Sequence, residues 1–272
     1  MKNSGYRVLS GWRVPAAVGL FLIPVIVAGG DSLQLKSGKI MPLKSIPVWR
    51  DGAKEYQVES SEGDIKVTVA LKDIERLDIA KPADLDKAQQ LIEAGNDEAA
   101  IPLLESVIDR YKMLVWDVKA RGILGRIYLK KKNATKALDT LQPLFTSQLM
   151  GAVPAGERRA YWDALLAAGR TDDLRKELNA AIAAGRRDDA AAALVMRGNM
   201  LQAAGKHEEA LQDYLTTVWF FEGSKDVQPE ALFKAAEGLK EVRDARAEEC
   251  RKVLLQKYPD SEFAKKAAGK AE

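Results

Sequence analysis

Five stretches of this chain lie over one another at almost constant spacing: AGNDEAAIPLLESVI, KKNATKALDTLQPLF, AGRTDDLRKELNAAI, AGKHEEALQDYLTTV and VRDARAEECRKVLLQ. Aligned on Ala100, Ala137, Leu174, Ala210 and Ala247, they are separated by 37, 37, 36 and 37 residues. No other feature constrains the fold as strongly. A period of roughly 20 to 50 residues marks a unit that cannot bury its apolar face alone and must stack on the next copy.

Within the stretches the apolar residues recur at helical spacing. Leu104 and Val107 follow Ala100 at i+4 and i+7, and Leu141 and Leu144 follow Ala137 in the same way. Upstream of each lies a second amphipathic segment, in order KAQQLIEAG, ARGILGRIYLKK, RRAYWDALLAAG, LVMRGNMLQAAG and ALFKAAEGLKEV. Every unit is therefore predicted to be helix, short turn, helix, and residues 81–272 to form an α-solenoid of about five hairpins.

These residues resemble the tetratricopeptide repeat. In RGILGRIYLKKKNATKALDTLQPLF, Leu124, Gly125 and Tyr128 match the family's L-G-x-x-Y on the first helix, and Ala137 matches its small residue on the second. Gly198 with Ala210, and Ala88 with Ala100, repeat the pairing. Small side chains are needed there because two helices of a hairpin cross closest at those points. The period exceeds the usual ~34 residues by about three, which predicts slightly long connections between units.

The third unit departs most, with Trp162 and Leu174 where small residues are expected; either its helices are spread apart or the register shifts there. At the far end, Tyr258-Pro259 and Ser261 resemble the Y-P-x-S repeat boundary of outer-membrane assembly lipoproteins and of the periplasmic protein linking Tol-Pal to wall synthesis. The segment after Pro259 reads as a short polar helix capping the last hydrophobic face.

Residues 31–80 have a different texture. Short alternating runs are broken at Ser37-Gly38, Asp51-Gly52 and Glu62-Gly63, which predicts four or five strands joined by tight turns. A block of about fifty residues fits a small all-β, barrel-like module that leans on its neighbour for sufficient core. Its element pattern resembles the SH3-like or Sm-like β-modules that follow signal sequences in bacterial envelope proteins. The fold class expected for the whole chain is α+β and multi-domain, mainly an all-α solenoid preceded by this module.

The first thirty residues stand apart again. Lys2, Arg7 and Arg13 precede the apolar run VPAAVGLFLIPVIVA, and no acidic residue occurs before Asp31. This reads as a secretory signal with Ala28-Gly29-Gly30 supplying the small residues for cleavage before Asp31, and hence as an exported, periplasmic protein. The competing reading is a retained membrane anchor, against which stand the shortness of the run and its Pro15 and Pro24. Removing three basic residues and no acidic one lowers the formal charge from +3 to zero. A balanced mature chain lacks the electrostatic footprint of a nucleic-acid binder. Cys250 is the only cysteine, so no intrachain disulfide staples the fold.

Catalytic signatures are missing from the sequence. His207, the only histidine, aligns with Asp97, Ala134, Thr171 and Ala245 in the turn between helices, a position that tolerates many side chains. A zinc site needs three or four ligands, and neither a second histidine nor a nearby cysteine is present. Neither G-x-S-x-G nor G-x-G-x-x-G occurs. The chain is expected to have no catalytic, metal or cofactor site and to work as an interaction scaffold for a protein or peptide.

In such solenoids the first helices line a concave groove. The candidate contacts are Lys119, Arg126 and Lys130 in the second unit, Arg159 in the third, and Asn199 with Gln202 in the fourth. The basic trio suits an acidic segment or a peptide carboxylate, and the resemblance implies a clamping role for Asn199. Trp219, Phe220 and Phe221 end the fourth unit; two of them are expected to pack beneath the loop toward Pro229 and one to be exposed. The alternative for this trio is a partner or self-association patch. For the whole chain two further readings stay open: an anchored assembly subunit that oligomerises through its repeats, and an enzyme with a site at the β/α junction.

Overall fold

The computed structural model describes residues 30–63, 65–146 and 153–269. The apolar run of residues 14–28 lies outside them, as does the stretch 147–152.

The β-block forms two three-stranded antiparallel sheets. Strands β1 (Ser32–Leu35), β2 (Ile40–Pro42) and β6 (Ile74–Asp78) pair in the order β2-β1-β6. Strands β3 (Val48–Arg50), β4 (Glu55–Glu59) and β5 (Lys66–Ala70) pair in sequence order, and a 3-10 turn at Leu71–Asp73 leads into β6. The breaks read from sequence are the turns: Gly38 and Gly63 both take φ of 86°, a left-handed conformation that costs glycine nothing. Alternation places Tyr56 and Val58 of β4 inward with Leu33 of β1, all essentially without exposed surface.

The helices run α1 (Ala83–Glu93), α2 (Asp97–Arg110), α3 (Val115–Lys130), α4 (Ala134–Leu141), α5 (Pro143–Thr146), α6 (Ala155–Ala167), α7 (Thr171–Ala184), α8 (Arg187–Ala203), α9 (His207–Phe220), α10 (Gln228–Glu241), α11 (Arg246–Lys257) and α12 (Glu262–Ala267). They pair as five hairpins: α1 with α2, α3 with α4, α6 with α7, α8 with α9, and α10 with α11. Each hairpin turn is closed by the same backbone bond. The N–H groups of Asn96, Asn133, Arg170, Lys206 and Asp244 donate to the carbonyls of Leu91, Tyr128, Leu165, Leu201 and Leu239 at 2.8 to 2.9 Å. This is the six-to-one bond that ends a helix through a left-handed residue. That residue is glycine at 95, 169 and 205, but Lys132 and Arg243 adopt φ of 56° in the same place.

Turn-to-turn spacing is nearly constant, yet the connections between hairpins are not uniformly long. Two residues join α7 to α8, while the link from α9 to α10 spans residues 221–227. The longer helix α8 makes up the difference, so a constant period conceals a trade between helix and loop. Within the fifth hairpin the turn falls one residue later than the sequence alignment implies. Ala247 is consequently only half-buried, and Cys250 and Leu254 carry the buried stripe of α11.

The close-crossing argument for small residues has a measurable basis. A Cβ added to Gly125 would lie 2.6 Å from the Leu141 side chain, and one on Gly198 would lie 2.6 Å from the Tyr214 ring. The glycine thus admits the residue four places beyond the small residue of the second helix. Between hairpins the same device recurs, since a Cβ on Gly122 would meet Glu157 at 2.5 Å and one on Gly238 would meet Leu211 at 3.1 Å. In an open helix interior, Gly→Ala stabilises by about 1 kcal/mol. Gly198→Ala should instead destabilise by about 1–3 kcal/mol in urea unfolding, because the rigid ring of Tyr214 must move; a gain in stability would refute the close approach.

The third hairpin keeps its register and spreads. Trp162 is only 1% exposed and Leu174 not at all, and α6 touches α7 less than any other hairpin pair touches, packing more closely on α3 and α4. At the end of the stack, α12 lies on α10 and α11. Ser261 caps it by accepting from the Ala264 N–H at 3.1 Å.

Candidate partner-binding surfaces

Three surfaces and one buried junction carry the chemistry of this molecule. On the first-helix side, Arg159 of α6 lies 3.4 Å from Asp163 and 3.7 Å from Glu230 of α10. Asn199 of α8 donates to Glu230 at 2.7 Å and accepts from the Tyr214 hydroxyl at 2.8 Å. That hydroxyl is also 3.2 Å from Gln202 Oε1. Arg159, Asn199 and Gln202 are therefore brought into one polar network across three hairpins. Burial and the nearby carboxylates of Glu230 and Asp213 push the Tyr214 phenol well above its usual range. Asp163 is also pushed up, burial outweighing the attraction of Arg159. Beside this network a cleft of about 390 Å³ opens between Gly156, Arg159, Ala192 and the loop through Lys225.

Lys119, Arg126 and Lys130 lie apart from that network, exposed along α3. The Lys119 ammonium is 3.8 Å from the buried carboxylate of Glu157, and Lys130 donates to Asp97 at 2.6 Å. Arg126 has no ion-pair partner among the described residues. The cluster read as basic from the sequence is thus largely neutralised by carboxylates from the hairpins on either side, although exposed pairs of this kind contribute little and open readily.

A larger cleft, about 920 Å³, lies where hairpins three and four part. It opens between the second helices α7 and α9 and is floored by α8. Leu166, Met200 and Leu201 give it apolar ground, and Arg175, Arg197 and Gln212 stand on its rim. Arg197 makes a fork with Asp213 at 2.7 and 2.8 Å and donates to Asn179 at 3.0 Å. The Asp213 carboxylate holds the guanidinium still more firmly protonated. The residues singled out from sequence lie on first-helix faces and at the end of α9, and none of them lines this cleft. The available signal was Arg197 itself, a single charge following the run AAAALVM, which is buried throughout.

The aromatic trio at the end of α9 behaves differently from expectation. Only Phe221 packs on the core, while Trp219 is 48% and Phe220 77% exposed. The buried stripe of α9 runs through Ala210, Tyr214, Thr217 and Val218. Continuing it by three residues reaches Phe221 and leaves positions 219 and 220 turned away. The loop beneath which two rings were expected is held by other means: Ser224 donates to Asp188 at 2.7 Å and Gln228 to the Thr217 carbonyl at 2.8 Å.

At the β/α junction polar groups do cluster and their pKa values are displaced, as an enzymic site there would require. Tyr56 donates to the Met113 carbonyl at 2.9 Å, and the Met113 N–H donates to Asp117 at 2.8 Å. Arg121 occupies the other Asp117 oxygen at 2.6 Å, and Trp116 donates to the Ile79 carbonyl at 2.8 Å. Burial raises both Tyr56 and Asp117. Every one of these bonds ties down backbone or a neighbouring side chain. Their arrangement is that of a clamp between the β-module and the turn from α2 to α3.

His207 is exposed at the first position of α9. Among the described residues no group of three or more histidine, cysteine or acidic side chains is placed to hold a metal, and no helix is long and apolar enough to cross a membrane.

No protein-family model matches the chain, and no curated protein matches it. Among solved structures it is similar to YrrB, a TPR protein with an unusual peptide-binding site, at 16% identity over 68% of this chain and 90% of that one, with a TM-score of 0.42. It is also similar to TTC0263, a thermophilic TPR protein of Thermus thermophilus, at 20% identity over 69% and 96% of the two chains, with a TM-score of 0.45.

Proposed function

We propose that this chain is a non-catalytic scaffold that holds a protein or peptide segment on its repeat surface. The observation that carries the reading is the cleft of about 920 Å³ between α7 and α9. An apolar floor with a polar rim is the usual form of a segment-binding site: burial of side chains supplies affinity, and the rim fixes orientation. A second seat is the first-helix face, favoured by the smaller cleft beside Arg159. There a peptide carboxylate would compete for Lys119, Arg126, Lys130 or Arg159, and Asn199 and Gln202 would exchange internal bonds for external ones.

Panning a random-peptide display library on the purified chain tests this. Enriched peptides should bind the parent chain and lose at least about tenfold in affinity with Leu166→Glu, a change at a side chain already 43% exposed. If Lys119→Ala, Arg126→Ala and Lys130→Ala together abolish binding instead, the first-helix face is the seat. A library that yields no peptide sensitive to either set contradicts the scaffold reading.

The proposed setting is the bacterial envelope, with export directed by residues 1–30. A mature N-terminus at Asp31, found by mass spectrometry, supports it. An intact Met1 in the membrane fraction supports the anchored assembly subunit instead. The enzymic reading rests on the junction cluster, and its bonding as a clamp favours the scaffold.

A further inference from the structure

The large cleft between α7 and α9 has an electrical sense that narrows what it can hold. Three ion pairs stand around it, and they are not oriented alike. The Arg197 side chain is 31% exposed and that of its partner Asp213 only 8%, so this pair buries its anion and turns its cation to the cleft. Arg175 lines the cleft, while its partner Asp172 stands outside the lining residues. Lys206 and Glu209 line it together and are almost equally exposed, so they present neither sign.

The Arg197 guanidinium also keeps donors in reserve. Of the five N–H groups such a side chain carries, the one on Nε and one each on Nη1 and Nη2 are bonded to Asp213 and Asn179 at 2.7 to 3.0 Å. The second N–H on each terminal nitrogen has no partner among the described residues. The fork on a covered carboxylate fixes the plane of the group, so those donors are in place before anything binds. Arg175 stands four residues before Asn179 on the same face of α7, which puts both guanidiniums on one wall. Met200 and Leu201 follow Arg197 at i+3 and i+4, so the apolar floor begins one helical turn from the donors.

We propose that the cleft takes an acidic amphipathic segment of a protein partner. A large apolar side chain of that segment lies on Leu166, Met200 and Leu201, and a carboxylate within about four residues of it accepts from Arg197 and Arg175. This rests on the scaffold reading and names the chemistry of its partner. The carboxylate is received on the two open N–H groups without breaking the fork between Arg197 and Asp213. A basic segment finds no exposed acid along the lining except Glu209, which Lys206 already holds at 3.0 Å. A second copy presenting the same wall would set guanidinium against guanidinium.

Random peptides panned on the purified full chain supply the probes, and fluorescence anisotropy of the labelled peptides reads affinity. Peptides whose binding is lost with Leu166→Glu should share an Asp or Glu within about four residues of Leu, Ile, Met or Phe. Replacing that acid by its amide changes the peptide and leaves the protein untouched, and should lower affinity about tenfold or more. Arg175→Glu, at an exposed side chain, should lower it about fivefold with an unaltered far-UV circular dichroism spectrum. Leu166-sensitive peptides without an acidic preference, or acidic ones indifferent to the amide replacement or to Arg175→Glu, overturn this proposal and leave the scaffold reading standing. If no selected peptide is sensitive to Leu166→Glu, the cleft is not the seat, and the proposal falls with it.

Discussion

Trp162→Ala is expected to destabilise the chain by about 3–5 kcal/mol and to split a single urea transition into two. Trp162 fills the third hairpin, where α6 and α7 stand furthest from close packing, and it is one of the largest fully buried side chains. Removing it leaves a void that the hairpin cannot close, because α6 is already held on its other side by α3 and α4. In a stack where each hairpin touches only its neighbours, weakening one layer loosens the coupling between the two ends. Among the described residues the indole N–H finds no hydrogen-bond partner. Trp162→Phe therefore removes an unsatisfied donor along with some ring area, and should cost less than half as much. Circular dichroism and intrinsic fluorescence followed together in urea check both expectations, and coincident, unshifted transitions in Trp162→Ala would show that the third hairpin does not depend on this ring.

Asp117→Ala should cost about 3 kcal/mol, and Asp117→Asn clearly less. Asp117 is 2% exposed and does two tasks at the junction. One oxygen accepts the Met113 N–H and the other accepts from Arg121. Met113 sits at φ of 65°, a left-handed conformation unfavourable for its side chain, and its carbonyl receives the Tyr56 hydroxyl. Alanine strands that N–H in a dry site and leaves Arg121 with its remaining bond to the Thr140 carbonyl. Asparagine keeps an acceptor for the N–H.

The pH dependence has a definite sign. Burial raises the Asp117 carboxyl above its unfolded value, against the pull of Arg121. Its favourable contribution is therefore full below the unfolded pKa and is lost as pH rises through the folded one. Relative to Asp117→Asn, the parent chain should lose stability across that interval, measured by urea midpoints over a pH series. A rise instead would mean that the ion pair outweighs the burial.

Much of this architecture was legible because the repeat is written in residues whose size is dictated locally. Gly125, Gly198 and the buried alanines at 100, 137 and 210 each sit where another helix presses against them, so a 37-residue period could be read without a partner sequence. The β-turns were legible for a similar reason, since Gly38 and Gly63 mark backbone conformations that other residues resist. The fifth turn was not, because Arg243 takes the left-handed position that glycine holds in three of the others.

The surfaces were harder to read. Lys119 and Lys130 of α3 look basic in sequence, but their respective neighbours in space, Glu157 and Asp97, come from other hairpins 33 or more residues away. Arg159 and Asn199 were picked out as contacts, yet nothing in a linear reading joins them through Glu230, which lies on a third helix. The cleft between α7 and α9 depends on how far two hairpins part, a tertiary quantity to which Arg197, a charge after the buried run AAAALVM, was the sequence clue. The exposure of Trp219 and Phe220 followed from helical phase and was misjudged because the loop after them was expected to cover two rings.

The account stands on consecutive stacking of the hairpins, and nuclear Overhauser contacts across the hairpin boundaries test it most directly. The stack predicts cross-peaks from the Gly238 Hα protons to the Leu211 methyls, and from the Gly122 Hα protons to the Glu157 side chain. Within hairpins, Gly198 should see the Tyr214 ring in the same spectrum. Intra-hairpin contacts without the two boundary contacts would leave the second hairpin unstacked on the third and the fourth on the fifth, which contradicts consecutive stacking.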